Sequence, residues 1–342
     1  MKFIRFIPLL FLIIPLGFNE CYKYKPLSVG EYNEIVVFTD SLDWERTKGT
    51  LSEVFEREIV TPQYENIFYL RYIPMIDFEK FKERRNIILI TSLESKGTGA
   101  EMIKRMLSQP IVEGVKEGKY YIFQRKNEWA RKQLVLLLIS KDIETLINTL
   151  KENAESIFNL IDQDVNRRMK DSMYRGRENK KLSRKLFTKY GFGIKIQKDY
   201  IIAREDSANN FIWLRRWRPD RMIFLHWFDA KDGKIISKDW FINLRDKLTI
   251  NYMDSSRINP NKIWFEKENF LGREALKVKG FWEIPSKVLG GPFISYVFYD
   301  PPTQRIYIID ISVFNPGDIK EPYLRQLSII AHTFSVKPSD FY

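Results

Sequence analysis

The chain has 342 residues, which is enough for two domains with a sizeable buried core. Hydrophobic residues make up 44% of it and charged residues 29%, a composition that excludes a chain disordered throughout. A single cysteine excludes an intramolecular disulfide, and one cysteine with two histidines supplies too few ligands for a structural zinc site.

The formal net charge is +12, and half of it comes from one segment. Between residues 158 and 190 ten lysines and arginines stand against four acids. One interpretation is an electrostatic footprint for anionic lipid headgroups or another polyanion. The other is a solvated helix end followed by a linker, a common place for basic runs.

The N-terminus has the pattern of a secretory signal, because Lys2 and Arg5 precede an apolar run over 6–16. That run is too short to span a bilayer, so residues 1–21 predict a leader and export to the cell envelope. Cys21 lies where a bacterial lipoprotein carries its lipid, although Glu20 stands where a small residue is usual. Acylation of Cys21 and an unacylated thiol behind an uncleaved signal both stay open. An exported protein seldom meets nucleic acid, which we therefore do not expect as a partner.

After a polar tether over 22–33, strands alternate with helices up to residue 170, as in an α/β layer arrangement. The predicted strands cover 34–39, 66–73, 86–91, 119–124 and 133–140. The predicted helices begin after Asp40, contain Phe78 and Phe81, and cover 100–107 and 141–169.

The pattern changes after a basic linker over 171–189, and residues 190–342 predict a strand-rich α+β domain. Its predicted strands cover 211–217, 222–228, 262–265, 275–281, 293–299 and 305–314, and its helices cover 238–248 and 319–334. The predicted fold class is α+β: an α/β sandwich-like domain over 34–170, then an antiparallel sheet with packed helices.

Seven short segments occur in a characteristic order: 33–37 (NEIVV), 210–214 (NFIWL), 244–246 (LRD), 252–253 (YM), 280–283 (GFWE), 290–293 (GGPF) and 323–327 (YLRQL). Their order and spacing resemble a family of bacterial envelope lipoproteins catalogued as domain of unknown function 4837. The resemblance covers nearly the whole chain after the leader. It implies a lipid anchor and an envelope location, and it implies no established activity.

A second resemblance concerns architecture alone. Residues 190–194 (YGFGI), Tyr200, the terminal hairpin and a closing helix ending at 332–334 (HTF) resemble the fold of the photosystem oxygen-evolving accessory proteins. The resemblance implies an antiparallel sheet with helices packed on it, and likeness of fold implies no function.

Catalytic signatures are absent from the sequence. No P-loop, G-x-S-x-G or H-E-x-x-H string occurs, so we expect neither cofactor nor metal. His226 and His332 are expected to be packed residues. The turn Gly97-Thr98-Gly99 lacks the third glycine of a dinucleotide fingerprint and is expected to be a flexible loop.

The stretch 213–218 (WLRRWR) is the strongest candidate for a binding surface. Strand alternation places Trp213, Arg215 and Trp217 on one face and Arg216 with Arg218 on the other. Arginine beside tryptophan binds carboxylates, phosphates or sugars, while the same pattern also occurs in a strand whose tryptophans line the core. We add three neighbouring candidates: Arg245, Gly290 and Gly291.

The sequence therefore predicts a non-catalytic binding or assembly module at a membrane surface, attached through its N-terminus and in contact with anionic lipid headgroups or an envelope protein. One alternative is a hydrolase of an envelope glycan or lipid, in which Asp246, Asp254 and Glu283 would converge in a cleft. The other is a lipid or small-ligand carrier with a cavity lined by several tryptophans.

Overall fold

A computed structural model describes residues 25–230 and 237–342. These residues form two β-sheets, each with helices packed on both faces. The fold is α+β, as the sequence predicts.

The first sheet has five strands in the order β2-β1-β3-β5-β4, and only β4 runs antiparallel to its neighbour. Its strands are β1 (Glu34–Thr39), β2 (Tyr69–Pro74), β3 (Asn86–Ser92), β4 (Ile122–Lys126) and β5 (Leu134–Ser140). The helices of this half are α1 (Ser41–Phe55), α2 (Phe78–Phe81), α3 (Thr98–Lys104), α4 (Gln109–Lys116), α5 (Ile143–Glu152) and α6 (Ala154–Tyr174). All seven residues of β3 are buried, because α1, α5 and α6 cover one face of the sheet while α2 and α3 cover the other.

The second sheet has seven antiparallel strands in the order β6-β7-β8-β12-β11-β10-β9. Its strands are β6 (Ile201–Asp206), β7 (Phe211–Arg216), β8 (Asp220–Asp229), β9 (Arg257–Phe270), β10 (Arg273–Ile284), β11 (Leu289–Asp300) and β12 (Arg305–Phe314). The helices of this half are α7 (Lys180–Tyr190), α8 (Lys238–Tyr252) and α9 (Glu321–Ala331). Alternating residues of β12 separate the two faces: Ile309 and Ile311 pack towards α9, and Ile306 and Ile308 pack towards α8.

Three local expectations differ from the structure. The predicted helix over 141–169 is two helices, α5 and α6, which meet at Asn153. The expected linker over 171–189 is mostly helical, because α6 continues to Tyr174 and α7 begins at Lys180. The expected tether is partly ordered, since Leu27 pairs with Arg131 in a parallel β-bridge.

Helix α6 is fixed beneath the first sheet by a buried arginine, and this position brings α6 up to the second half. Arg168 is 2% exposed and pairs with Asp164, with 2.5 Å between Nε and Oδ2. Its Nη1 donates to the backbone oxygen of Lys132 at 3.1 Å, and its Nη2 donates to Asn86 at the start of β3. The far side of α6 contacts α9.

Candidate functional site

A cleft of about 520 Å³ lies where α6 and α9 meet the outer face of β10 and β11. Its lining comes from both halves of the chain. The apolar part of the lining consists of Ile59, Val60, Ile67, Phe158, Ile294, Leu324 and Ile329. Small-molecule sites have this size and this largely apolar character, and they prefer the boundary between packed units.

A second cavity of about 570 Å³ adjoins the first, because Lys170 and His332 line both. Three lysines border it: Lys170, Lys195 and Lys337. None of the three side chains has an ion-pair partner among the described residues. Asp340 also lines this cavity, and Asp300 there pairs with Arg273, so the three lysines still outnumber the one acid of the lining that has no basic partner in the described part of the chain. An apolar compartment thus opens into one with a surplus of positive charge, and we call the two together the interdomain cleft.

One wall of the cleft is a buried ionic network that joins the two halves. Arg325 of α9 donates to Glu321 and to Asp162 of α6, at 2.6 Å and 2.5 Å. Burial raises the pKa of Glu321, and its Oε2 has no hydrogen-bond partner in the described part of the chain. The carboxylate of Glu65 reaches across from the first half and accepts from the backbone N–H groups of Lys320 and Glu321 at 2.7 Å and 2.9 Å.

A second ionic group reaches the cleft through Lys277 and His332, which both line the first cavity. Glu268 of β9 pairs with Lys277 of β10 and lies 3.8 Å from the Nε2 of His332. Burial alone would raise the pKa of Glu268, yet the contacts with His332 and Lys277 lower it to about 2. His332 is therefore a half-buried residue at the junction of the two cavities, with its Nδ1 2.7 Å from the Ser328 backbone oxygen.

The tryptophan–arginine face predicted on β7 is present. The guanidinium of Arg215 lies 5.5 Å from the ring centroid of Trp213 and 5.2 Å from that of Trp217. Trp213 is 8% exposed and belongs to the core under α8, whereas Trp217 is 51% exposed. Arg215 is held by Asp220 through two hydrogen bonds of 2.8 Å and 2.5 Å, so its charge is already paired.

On the other face, Arg216 pairs with Asp199 and donates to Gln197 at 2.9 Å. The cross-strand neighbour of Arg216 is Arg221, which the sequence analysis did not single out. Arg218 lies in the turn after β7 with a positive φ of 60°.

The remaining three candidates, Arg245, Gly290 and Gly291, take part in packing and form no binding surface. Arg245 is 1% exposed and pairs with Asp310 beneath α8, with 2.7 Å between Nε and Oδ2, so it lies inside the core and offers no surface. A Cβ on Gly291 would lie 2.1 Å from the backbone oxygen of Val313, and one on Gly290 would lie 2.8 Å from that of Trp282. The two glycines therefore allow close packing at the start of β11.

The acids considered for hydrolysis line neither compartment of the interdomain cleft. Asp246 accepts from the backbone N–H of Ile258 at 2.8 Å, and burial raises its pKa. Glu283 accepts from Asn259 at 2.9 Å. His226 is packed in β8, where burial lowers its pKa.

The glycine turn after β3 differs from the flexible loop that the sequence predicts. The carboxylate of Asp40 accepts from the backbone N–H groups of Gly99 and Ala100 at 2.9 Å and 2.8 Å. A Cβ on Gly97 would lie 2.1 Å from Asp40 Oδ2. The chain's own acid thus occupies the place where an anion would approach α3.

Sequence reasoning missed the interdomain cleft itself. The one signal that bears on it is the concentration of basic residues between 158 and 190, which includes Lys170. Cys21 and the rest of the leader lie outside the described residues. Within the described ranges no helix is long and apolar enough to cross a membrane, and no group of three or more metal-ligating side chains occurs.

The fold defines the class of this protein: it is an α+β protein with two sheets and a cleft between its halves. Residues 179–333 match a family described as Domain of unknown function (DUF4837), which confirms the resemblance inferred from the sequence. Residues 28–174 match a second family, described as Domain of unknown function (DUF8532). The DUF4837 match thus covers the second half of the chain, where the sequence analysis extended it over nearly the whole. The likeness to the photosystem accessory proteins stays a prediction.

No protein of curated function matches the chain significantly. A single-site mutant of the protein Mog1 is 13% identical over 44% of this chain and 94% of its own, with a TM-score of 0.30. The Ran-binding protein Mog1p of Saccharomyces cerevisiae is 12% identical over 44% and 93%, with a TM-score of 0.31. A protein of Bacteroides thetaiotaomicron VPI-5482 is 10% identical over 43% and 45%, with a TM-score of 0.25. At such TM-scores these similarities carry no argument about function.

Proposed function

We propose that this chain is a non-catalytic binding protein that holds an amphipathic anion, an acyl chain with an acidic head group, in its interdomain cleft. The observation that carries the proposal is the juxtaposition of an apolar compartment with three lysines that lack ion-pair partners among the described residues.

The apolar compartment suits an alkyl chain. Phe158, Ile294 and Leu324 line it from α6, β11 and α9, and Ile59 lines it from the connection between α1 and β2. A bound chain would therefore be enclosed from several sides. Each methylene removed from water there contributes about 0.8 kcal/mol.

The lysines suit the head group. Lys170 and Lys337 are exposed and Lys195 is half-buried, so all three ammonium groups remain hydrated and can turn towards an anion. Attraction at such a partly exposed site weakens with added salt, which gives the proposal a distinguishing property.

An experiment with a fluorescent fatty acid tests this function. The full-length chain, kept at one fixed concentration of a non-ionic detergent, is titrated with dansyl-undecanoate. We expect saturable binding that weakens with salt, and roughly tenfold weaker binding for the double variant Lys170→Glu/Lys195→Glu. Ile59→Asp should also weaken binding, because it places a carboxylate beside the acyl chain.

Lys96→Glu is the matched control, since Lys96 is an exposed lysine outside the cleft. Equal binding by the Lys96→Glu and Lys170→Glu/Lys195→Glu proteins would contradict the proposal. So would equally tight competition by dodecyltrimethylammonium, which carries the opposite charge.

We also propose that the protein resides in the cell envelope and is acylated on Cys21. The basic residues and apolar run before Cys21 support this location. Cells supplied with an alkyne fatty acid should label the wild-type protein and not the Cys21→Ser variant. Label that persists in the variant would contradict acylation at this residue.

A further inference from the structure

We propose that one end of the second sheet, where β7 turns into β8, docks on a lipid surface that carries anionic headgroups. This surface is separate from the interdomain cleft. We call it the loop end and define it by three connections, over 217–219, 285–288 and 315–319.

Strand register places the three connections side by side. Asp220 at the start of β8 pairs with Phe314 at the end of β12, and Ile284 at the end of β10 pairs with Leu289 at the start of β11. The rings of Trp282 and Phe314 lie 6.0 Å apart and join these two pairs. Neighbouring strands are about 4.8 Å apart, so the loop end is roughly 15–20 Å wide.

The loop end exposes large apolar side chains on each connection: Trp217 is 51% exposed, Val288 is 94% exposed and Ile319 is 46% exposed. Trp217 also lines an open depression of about 670 Å³ together with Pro219, Phe314 and Pro316. Tryptophan is enriched where proteins meet the membrane interface, because its ring is amphipathic.

Val288 adds a second, independent observation. Its φ is 52°, in the left-handed region that a β-branched residue rarely adopts. Such a conformation is strained, and it presents an apolar side chain to solvent at the tip of a turn. The packing of the folded chain makes no use of that side chain.

Positive charge accompanies the apolar tips. Arg218 and Lys287 lie in the turns beside Trp217 and Val288, and neither has an ion-pair partner among the described residues. Of the acids nearby, Asp220 pairs with Arg215 and Asp199 pairs with Arg216, while Asp318 on the third connection is exposed. Arg218 and Lys287 therefore outnumber the one acid of the loop end that has no ion pair among the described residues.

Directly behind the first turn lies Arg221, which is 4% exposed. Its Nη1 donates to Gln326 at 2.8 Å, and its Nε has no partner in the described part of the chain. No carboxylate of the residues that the structure describes pairs with this guanidinium, and Arg216 stands opposite to it in the sheet. Arg221 thus adds a buried positive charge beside the Arg216–Asp199 pair, and this charge attracts the turn towards a surface that carries phosphate groups.

The test places a probe on the loop end of the full-length protein. Cys21→Ser leaves no native thiol, and Val288→Cys then carries a nitrobenzoxadiazole label. With vesicles of 30% phosphatidylglycerol in phosphatidylcholine, we expect the emission to move to shorter wavelength and to be quenched by doxyl-labelled lipid. The same label at Ile76→Cys, which replaces a side chain that is 91% exposed elsewhere, should not respond.

Charge reversal separates docking from attachment through the N-terminus. Arg218→Glu/Lys287→Glu should reduce the response at position 288 roughly tenfold, while Lys96→Glu should not. Equal responses at positions 76 and 288, or an unchanged response after the double reversal, would overturn the proposal. So would a response that inorganic phosphate abolishes, because that result would indicate a site for the free ion.

Discussion

At the scale of single residues, burial decides what a charged side chain does. Arg245 is one of the residues that the sequence suggests for a binding surface, yet its guanidinium lies 3.8 Å from the ring centroid of Phe293 and pairs with Asp310. Asp310 is fully buried, and burial raises the pKa of this carboxyl. The pair therefore belongs to the core, and its removal should affect stability before it affects binding.

We expect Arg245→Ala to lower the free energy of unfolding by about 3–5 kcal/mol, because it leaves the Asp310 carboxylate buried without its partner. Urea denaturation followed by circular dichroism measures this loss. Arg257→Ala, at an exposed arginine of β9, should stay within about 0.5 kcal/mol of the wild type. Similar losses in the two variants would contradict a structural role for Arg245.

Glu268 predicts a dependence of stability on pH. Its pKa is about 2 in the folded chain against an ordinary value of 4.5, so the unfolded chain takes up the proton first as the pH falls. The contribution of Glu268 to stability is therefore complete above about pH 4.5 and is lost between about pH 4.5 and pH 2. Glu268→Gln should reduce the difference in unfolding free energy between about pH 6 and pH 3.

The matched control for this effect is Glu266→Gln on the same strand. Glu266 pairs with Lys279 at 2.8 Å, and its side chain is 48% exposed. We expect this variant to keep the wild-type difference between the two pH values. If the Glu268→Gln protein showed the same difference in unfolding free energy between the two pH values as the wild type, Glu268 would not be a source of the pH dependence.

At the scale of elements, the basic composition of helix α7 led the sequence analysis to assign it to a linker. Its sequence, KKLSRKLFTKY, has five basic residues among eleven, which favours a solvated linker. Leu182 and Leu186 are nevertheless four residues apart on one face and pack against the core of the second sheet. Asn179 caps the helix by accepting from the N–H of Leu182, and Gly191 ends it with a φ of 77°.

The boundary between the two halves remains a prediction, and the ends of α6 and α7 restrict the segment in which it can lie. Only 175–179 lie between α6 and α7, and Arg175 and Arg177 are exposed there. Within 167–189 we expect trypsin to cut first after Arg175 or Arg177, since helical backbone resists proteolysis. Mass spectrometry of early digests reads out the sites.

Arg175→Gln/Arg177→Gln should delay this cleavage, while Lys181→Gln in α7 should not. First cuts at Arg167 or Lys170 would mean that the end of α6 opens more readily than the connection that follows it.

At the scale of the whole molecule, side chains from one half complete elements of the other. Helix α9 has no side-chain cap from its own Lys320, and Glu65 of the first half fills that role. Lys320 is 4% exposed, and its Nζ lies 3.8 Å from Glu65. The cleft depends on these contacts, because α9 forms one of its walls.

We expect Glu65→Ala to lower the free energy of unfolding by about 2–4 kcal/mol, since α9 loses its cap and Lys320 loses its buried partner. In calorimetry the single transition expected for the wild type should separate into two. Ser237→Ala removes a cap within the second half and should cost about 1 kcal/mol without separating the transitions. An unchanged midpoint for Glu65→Ala would show that the contact does not couple the halves.

The sequence by itself determined what depends on local periodicity. Buried strands such as β3, the alternation that puts Trp213, Arg215 and Trp217 on one face, and the change to antiparallel strands all follow from spacings of two or about 3.6 residues. The α+β class and the Trp–Arg face were therefore predictable, as was the match to DUF4837.

Only the tertiary structure decided which side chains meet. Glu65 contacts the N–H of Lys320 across 255 residues of sequence, and Arg325 contacts Asp162 across 163. No periodicity encodes such distances, because they result from how two separately patterned sheets pack. The same packing buried Arg245, paired Arg215 with Asp220, and brought Lys170, Lys195 and Lys337 to one cleft.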